Sequence, residues 1–136
     1  MKKLLLIALI ISLSFTVTNS NSESDEICCT WVNTSYTSGE PPQKLIFSFD
    51  GTFASYNTKK TNDALKRGMY SIAKKWQDLE GNIWYQIKME GPKSETKYKL
   101  AKISDDGKVL EFICKTDKYP AEISSKDKAY CKYNRY

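Results

Sequence analysis

Cys29-Thr30-Trp31-Val32 is the first stretch of this sequence with the character of a β-strand, and the rest of the chain reads as a series of strands counted from it. Aromatic and β-branched residues suit a pleated, half-buried surface. If this stretch opens a sheet, the remainder of the chain should be short antiparallel strands, the last returning beside the first.

Upstream, Lys2 and Lys3 precede an unbroken apolar run from Leu4 to Ile11 that tapers through Val17. A positive n-region before a short apolar core reads as a secretory signal peptide. The run is shorter than the roughly 20 residues a membrane span requires. Small residues at −3 and −1 place cleavage after Ser20 or Ser22, which predicts a signal peptide over 1–22 and a loose polar leader continuing to about 27. Residues 28–136 are then a single domain. Cys28 follows Asp25-Glu26-Ile27 rather than a small-residue run, so no stable membrane anchor is expected and the mature protein is expected to be secreted or periplasmic.

Downstream, strands are expected at about 29–36, 43–50, 52–58, 68–76, 83–90, 96–103, 108–116 and 127–135. Asp50-Gly51, Gly81, Gly91-Pro92 and Asp105-Asp106-Gly107 supply turns between them. The fifth strand is the clearest: Ile83, Tyr85, Ile87 and Met89 face one way and Gln86, Lys88 and Glu90 the other, the period-2 pattern of a half-buried strand. In the sixth, Tyr98 and Leu100 are read as the inward face; the seventh sets Leu110, Phe112 and Cys114 opposite Glu111. The polar run 59–67 is read as a loop. Connections this short suit antiparallel neighbours, and closing such a meander removes both exposed edges. The expected fold is therefore all-β, an eight-stranded antiparallel up-and-down barrel, with a sandwich as the alternative.

The net charge of +5 falls to +3 without Lys2 and Lys3, and the lysines are dispersed as on a solvated barrel exterior, so no nucleic-acid footprint is indicated. Histidine is absent, which removes the commonest general base and metal ligand. With no nucleophile–base pair, no phosphate loop and no metal-ligand spacing, neither an enzyme nor a cofactor or metal site is expected. Cys28, Cys29, Cys114 and Cys131 allow three pairings in an oxidising compartment. Adjacent cysteines rarely meet the geometry of a disulfide. Cys114 and Cys131 fall on neighbouring strands and are the favoured bridge.

On these features the chain resembles the calycin superfamily, specifically small bacterial lipocalin-like domains. The resemblance rests on the leader, on Cys29-Thr30-Trp31 standing where that family has Gly-x-Trp (with Cys29 in place of the glycine), on the eight-strand meander and on Arg135 in the last strand. It implies that Trp31 plugs one end of a barrel and that Arg135 lies over the indole, a cation–π cover for an apolar plug. It also implies a lumen able to hold one small ligand.

The lumen would be lined by Phe47, Phe49, Tyr70, Ile72, Tyr85, Ile87, Tyr98, Leu100 and Phe112, which either receive a small apolar or amphipathic molecule or fill a solid core. Trp76 and Trp84 flank one turn and are read as a cap on that end of the barrel, with an exposed aromatic contact for a partner as the alternative, and Asp78 and Glu80 as solvated turn charges. Two functions are compatible with such a barrel. One is a carrier of a small hydrophobic ligand. The other is an interaction or inhibitor module whose protein partner meets the loops at 37–43, 59–67, 91–95 and 117–126.

Overall fold

The computed structural model describes residues 25–33, 42–56 and 66–136. Eight strands run β1 (Thr30–Val32), β2 (Lys44–Phe47), β3 (Thr52–Tyr56), β4 (Lys66–Gln77), β5 (Ile83–Glu90), β6 (Thr96–Ile103), β7 (Val109–Lys115) and β8 (Tyr130–Arg135). A single 3-10 turn, Pro92–Ser94, interrupts them. Every strand pairs antiparallel with its successor, and β8 returns to β1, so the sheet closes into a barrel in simple sequence order. The closing register sets Trp31 opposite Arg135 and Val32 opposite Asn134. The predicted loops 37–43 and 59–67 lie largely outside the described residues, as do the leader up to residue 24 and the later part of the first predicted strand.

The tight turns form as their residues dictate. Gly51 takes a φ of +83°, a left-handed conformation that costs other residues strain. Beside it the Asp50 carboxylate accepts hydrogen bonds from the Thr52 amide and hydroxyl. Gly68 serves a different need. A Cβ built there would meet the Glu90 carbonyl at 2.2 Å and the Phe53 ring at 2.7 Å, so only glycine lets β3, β4 and β5 approach this closely.

Alternation then sorts each strand. Trp31, Leu45, Phe47, Phe53, Tyr85, Ile87, Ile103, Leu110, Phe112 and Tyr133 point inward and form one core. In β4 the alternation breaks: a bulge between Ile72 and Lys74 shifts the pairing, so that Lys75 rather than Lys74 stands beside inward-facing Tyr85. An extra residue in one strand changes which face the following side chains take. Trp76 is thereby paired with Trp84 on the outer wall. The indoles stack at 5.9 Å and 10°, flanked by Lys74 and Lys102, and Trp84 donates to Asp78. They do not cap the barrel end, as the sequence suggests. Asp78, read as a solvated charge, organises the β4–β5 turn by also accepting from Asn82 and from the Glu80 amide.

β6 differs from its predicted orientation. Lys99, Ala101 and Ile103 face the lumen, while Tyr98 and Leu100 face out. The outer wall here is nevertheless apolar, because Leu100 pairs with Ile113 and the connection 116–129 folds back over them. Tyr119 meets Tyr98 edge-on at 5.1 Å, Pro120 is buried, and Ile113 is 1% exposed.

Candidate functional site

The barrel has two unlike ends. At one end the β2–β3, β4–β5 and β6–β7 turns gather around residues 25–29 and the end of β8. At the other, the described flanks of the β1–β2, β3–β4, β5–β6 and β7–β8 connections form a rim.

The first end is filled. Ile27 and Trp31 are fully buried, and the indole N–H donates to the Ile27 carbonyl at 3.1 Å. Tyr85, equally buried, donates its hydroxyl to Asp25 at 2.8 Å, with Glu26 at 3.1 Å. Lys75 bridges both carboxylates, at 3.4 and 2.8 Å. The final part of the predicted loose leader, residues 25–27, is thus pinned across the barrel end, and Ile27 belongs to the core. Burial opposes ionisation of Glu26, but the Lys75 ammonium and Tyr85 hydroxyl outweigh it and hold the carboxyl below its usual 4.5. Cys28 and Cys29 pack against the same core. Burial raises the Cys28 thiol, which lies 3.1 Å from the Tyr70 hydroxyl, and pushes Cys29 up to about 11. Tyr70 in turn donates to the Ser48 carbonyl. Arg135 is exposed on this side and approaches the β6–β7 turn near Gly107. Among the described residues the cations lying over aromatic faces are lysines, not Arg135.

The second end encloses a cavity of about 190 Å³. Leu45, Phe53, Met89 and Phe112 make its apolar wall, with Cys114, Cys131 and Tyr133 beside them and Lys66, Glu95 and Lys97 toward the mouth. Lys66 ion-pairs with Glu95, which also meets Lys97 at 3.3 Å. The Tyr133 hydroxyl donates to the Pro42 carbonyl, which ties the rim to β8.

Lys99 is the unusual member. It is only 9% exposed, and its ammonium sits 3.8 Å from the centroid of the Phe112 ring. Lysine is rarely buried to this degree without a charged partner. Among the described residues no carboxylate lies within ion-pair distance of it. Burial pushes Lys99 below its ordinary 10.5; the nearby sulfurs of Cys114 and Cys131 oppose this, and the charges of Lys97 and Lys66 add to it.

Of the nine lumen residues expected from the sequence, Phe112 alone is on the cavity wall. Phe47, Tyr70, Ile72, Tyr85 and Ile87 face inward but pack the filled half. Phe49 lies in the β2–β3 turn and is 50% exposed, and Tyr98 and Leu100 face outward. Cys114 and Cys131 both face the cavity as diagonal neighbours on β7 and β8, yet no disulfide joins them: all four cysteines are thiols. Sequence reasoning missed Lys99, Met89 and Phe53 as cavity residues. The signal for Lys99 was its parity with Ala101 and Ile103, which place it on the inner face once those two are taken as core. Among the described residues no group of three or more acidic, cysteine or histidine side chains could hold a metal ion. Comparison of the chain with protein-family models, curated proteins and solved structures finds no match.

Proposed function

We propose that this chain is an exported lipocalin-like barrel that binds one small apolar or amphipathic molecule in the open end of its lumen. The observation that carries this reading is the cavity of about 190 Å³ behind the rim, apolar along Leu45, Phe53, Met89 and Phe112 and polar at Lys99. Ligand sites commonly combine an apolar wall with a few polar groups that orient the guest. Its volume is below the roughly 300 Å³ at which drug-sized pockets begin, so the ligand is small. The filled end supports the reading as well, since a rigid floor pre-organises the walls above it.

Export brings the chain into an oxidising compartment, where Cys114 and Cys131 join across β7 and β8. A disulfide-bearing oxidoreductase takes up the two electrons and two protons that the thiols lose. The register sets both thiols on one face of neighbouring strands with Phe112, not Cys114, opposite Cys131, so the backbone has to close at this end of β7 and β8 to bring the two sulfurs into bonding range.

The test is native mass spectrometry of the mature protein purified from its own host without denaturation. A co-purifying small molecule that is lost on unfolding is the expected result. A bare mass, together with thermal stability unmoved by short-chain lipids and small aromatics, overturns the carrier and turns attention to a protein partner at the rim. The same spectrum reports the bridge as a loss of two hydrogens.

A further inference from the structure

Lys99 does not serve the packing of the barrel. The closed end satisfies its buried polar groups internally, whereas Lys99 carries an amine into the lumen where the described residues supply only an aromatic face. Enclosed side-chain nitrogens and oxygens among the described residues all have partners, so the Lys99 amine, which makes no hydrogen bond among them, faces the cavity space. Drawing an ammonium into such a half-enclosed site is unfavourable, and a methionine or leucine would fill the same volume without that cost. Its position is also directed. β6 runs from the rim toward the closed end, so Lys99 lies one inward position deeper than Lys97 and faces the cavity beside Phe112.

Each neighbouring element presents a titratable group to the same cavity: Cys114 on β7, Cys131 and Tyr133 on β8, Lys97 on its own strand, Lys66 on β4 and Glu95 at the rim. Glu95 is already engaged by Lys66 and Lys97. Among the described lining residues, Lys66 and Lys97 stand against Glu95, so the charged groups beside Lys99 favour an anionic guest, the more so next to a low-dielectric wall.

We propose that Lys99 anchors a carboxylate, so that the lumen takes a small amphipathic acid, its head at Lys99 and its tail along Phe53, Leu45 and Met89. This rests on the lumen being the ligand site. The bound anion supplies the counter-charge that Lys99 lacks, and a charge-assisted hydrogen bond in a dry site is among the stronger polar contacts. Burial disfavours the ammonium in the empty barrel and a bound anion favours it, so affinity for the acid falls as pH rises through the titration of Lys99.

The experiment is titration calorimetry of the folded protein with hexanoate, hexan-1-ol and hexylamine, each in two buffers of different ionisation enthalpy. It is repeated on Lys99→Met and Lys99→Arg, with near-ultraviolet circular dichroism confirming the fold. Hexanoate is expected to bind about ten- to a hundredfold more tightly than the alcohol, the range expected for a hydrogen bond to a charged group. In a pH series carried up to 10.5, proton uptake should accompany the acid only. In Lys99→Met the preference and the uptake disappear while the alcohol still binds; in Lys99→Arg the preference stays and the uptake vanishes, because arginine is always charged. Equal binding of acid and alcohol by the unaltered protein, or a preference that survives in Lys99→Met, overturns the carboxylate anchor and leaves the lumen site standing. Binding of none of the three probes removes the lumen site, and the anchor with it.

Discussion

The two ends of this barrel are built from the same alternating strands and have opposite interiors. At the closed end an indole and a phenol are buried, and each polar atom has a partner: the Trp31 N–H meets the Ile27 carbonyl, and the Tyr85 hydroxyl meets Asp25 and Glu26. At the open end a lysine is buried against a ring, beside thiols and a cavity. The difference lies in what covers each end. Residues 25–29 return across the first and bring carboxylates and a backbone carbonyl with them. No described segment does so at the second. Among the described residues, the internally satisfied packing lies at one end and the cavity with its amine at the other. Functional sites commonly depart in this way from the rules that the rest of a fold obeys.

The contrast can be broken most forcefully at Trp31. Trp31→Ala removes the largest fully buried side chain. It should cost about 3–5 kcal/mol in urea unfolding, the range for large aromatic truncations. A loss below about 1 kcal/mol would mean that the closed end does not hold the barrel together.

A change at Lys99 should act in the opposite direction. Lys99→Met removes an amine buried without a counter-charge and should raise the stability of the unliganded protein by about 1–2 kcal/mol near neutral pH. The sign comes from linkage. Lys99 is depressed in the folded state below 10.5. The unfolded chain thus binds more protons between the depressed value and 10.5, and stability rises with pH across that window. Above 10.5 the penalty vanishes, and below the depressed value it is complete. The difference between variant and parent should therefore shrink as pH climbs toward 10.5, a trend that urea titrations at several pH values will reveal. A parallel offset at all pH values would assign the gain to packing instead.

The smallest effect belongs to the strap at the closed end. Glu26 is held below its usual 4.5, so its ionised form contributes stability above that value and loses it as pH falls through the lowered one. The pair with Lys75 is about 40% exposed on each side, and solvent screening reduces its worth. Glu26→Gln should cost under about 1 kcal/mol at pH 7 and nothing in acid, where both side chains are neutral. Thermal melts at the two pH values test this; a larger loss at pH 7 would make the strap as important as Trp31.

Much of the strand plan was legible in the chain, and the misreadings have physical causes. The hairpin glycines and the alternation of β5 were readable because turn chemistry and period-2 patterning are local, and the pairing of β8 with β1 followed from simple succession. Arg135, however, does not lie over the Trp31 indole as expected. β6 was misread for the converse reason. Residues 97–103, Lys-Tyr-Lys-Leu-Ala-Lys-Ile, carry apolar side chains on both faces, since the 116–129 connection covers the outer wall. Period-2 contrast marks a face as inward only when the other face meets water. The β4 bulge had the same effect on Trp76: one extra residue turned a supposed cap into an outer-wall stack. Phe49 was lost from the lumen because β2 ends at Phe47, where the turn begins.

The number and order of the strands, the tight turns and the return of the last strand to the first are written in the chain, because each arises from chemistry within a few residues or from simple succession. That Lys99 lies inside, that residues 25–27 seal one end, and that a cavity occupies part of the lumen follow from the folded arrangement alone. Those outcomes depend on which distant segment comes to rest on which face, and contacts between segments far apart in the chain leave no periodic mark in either of them.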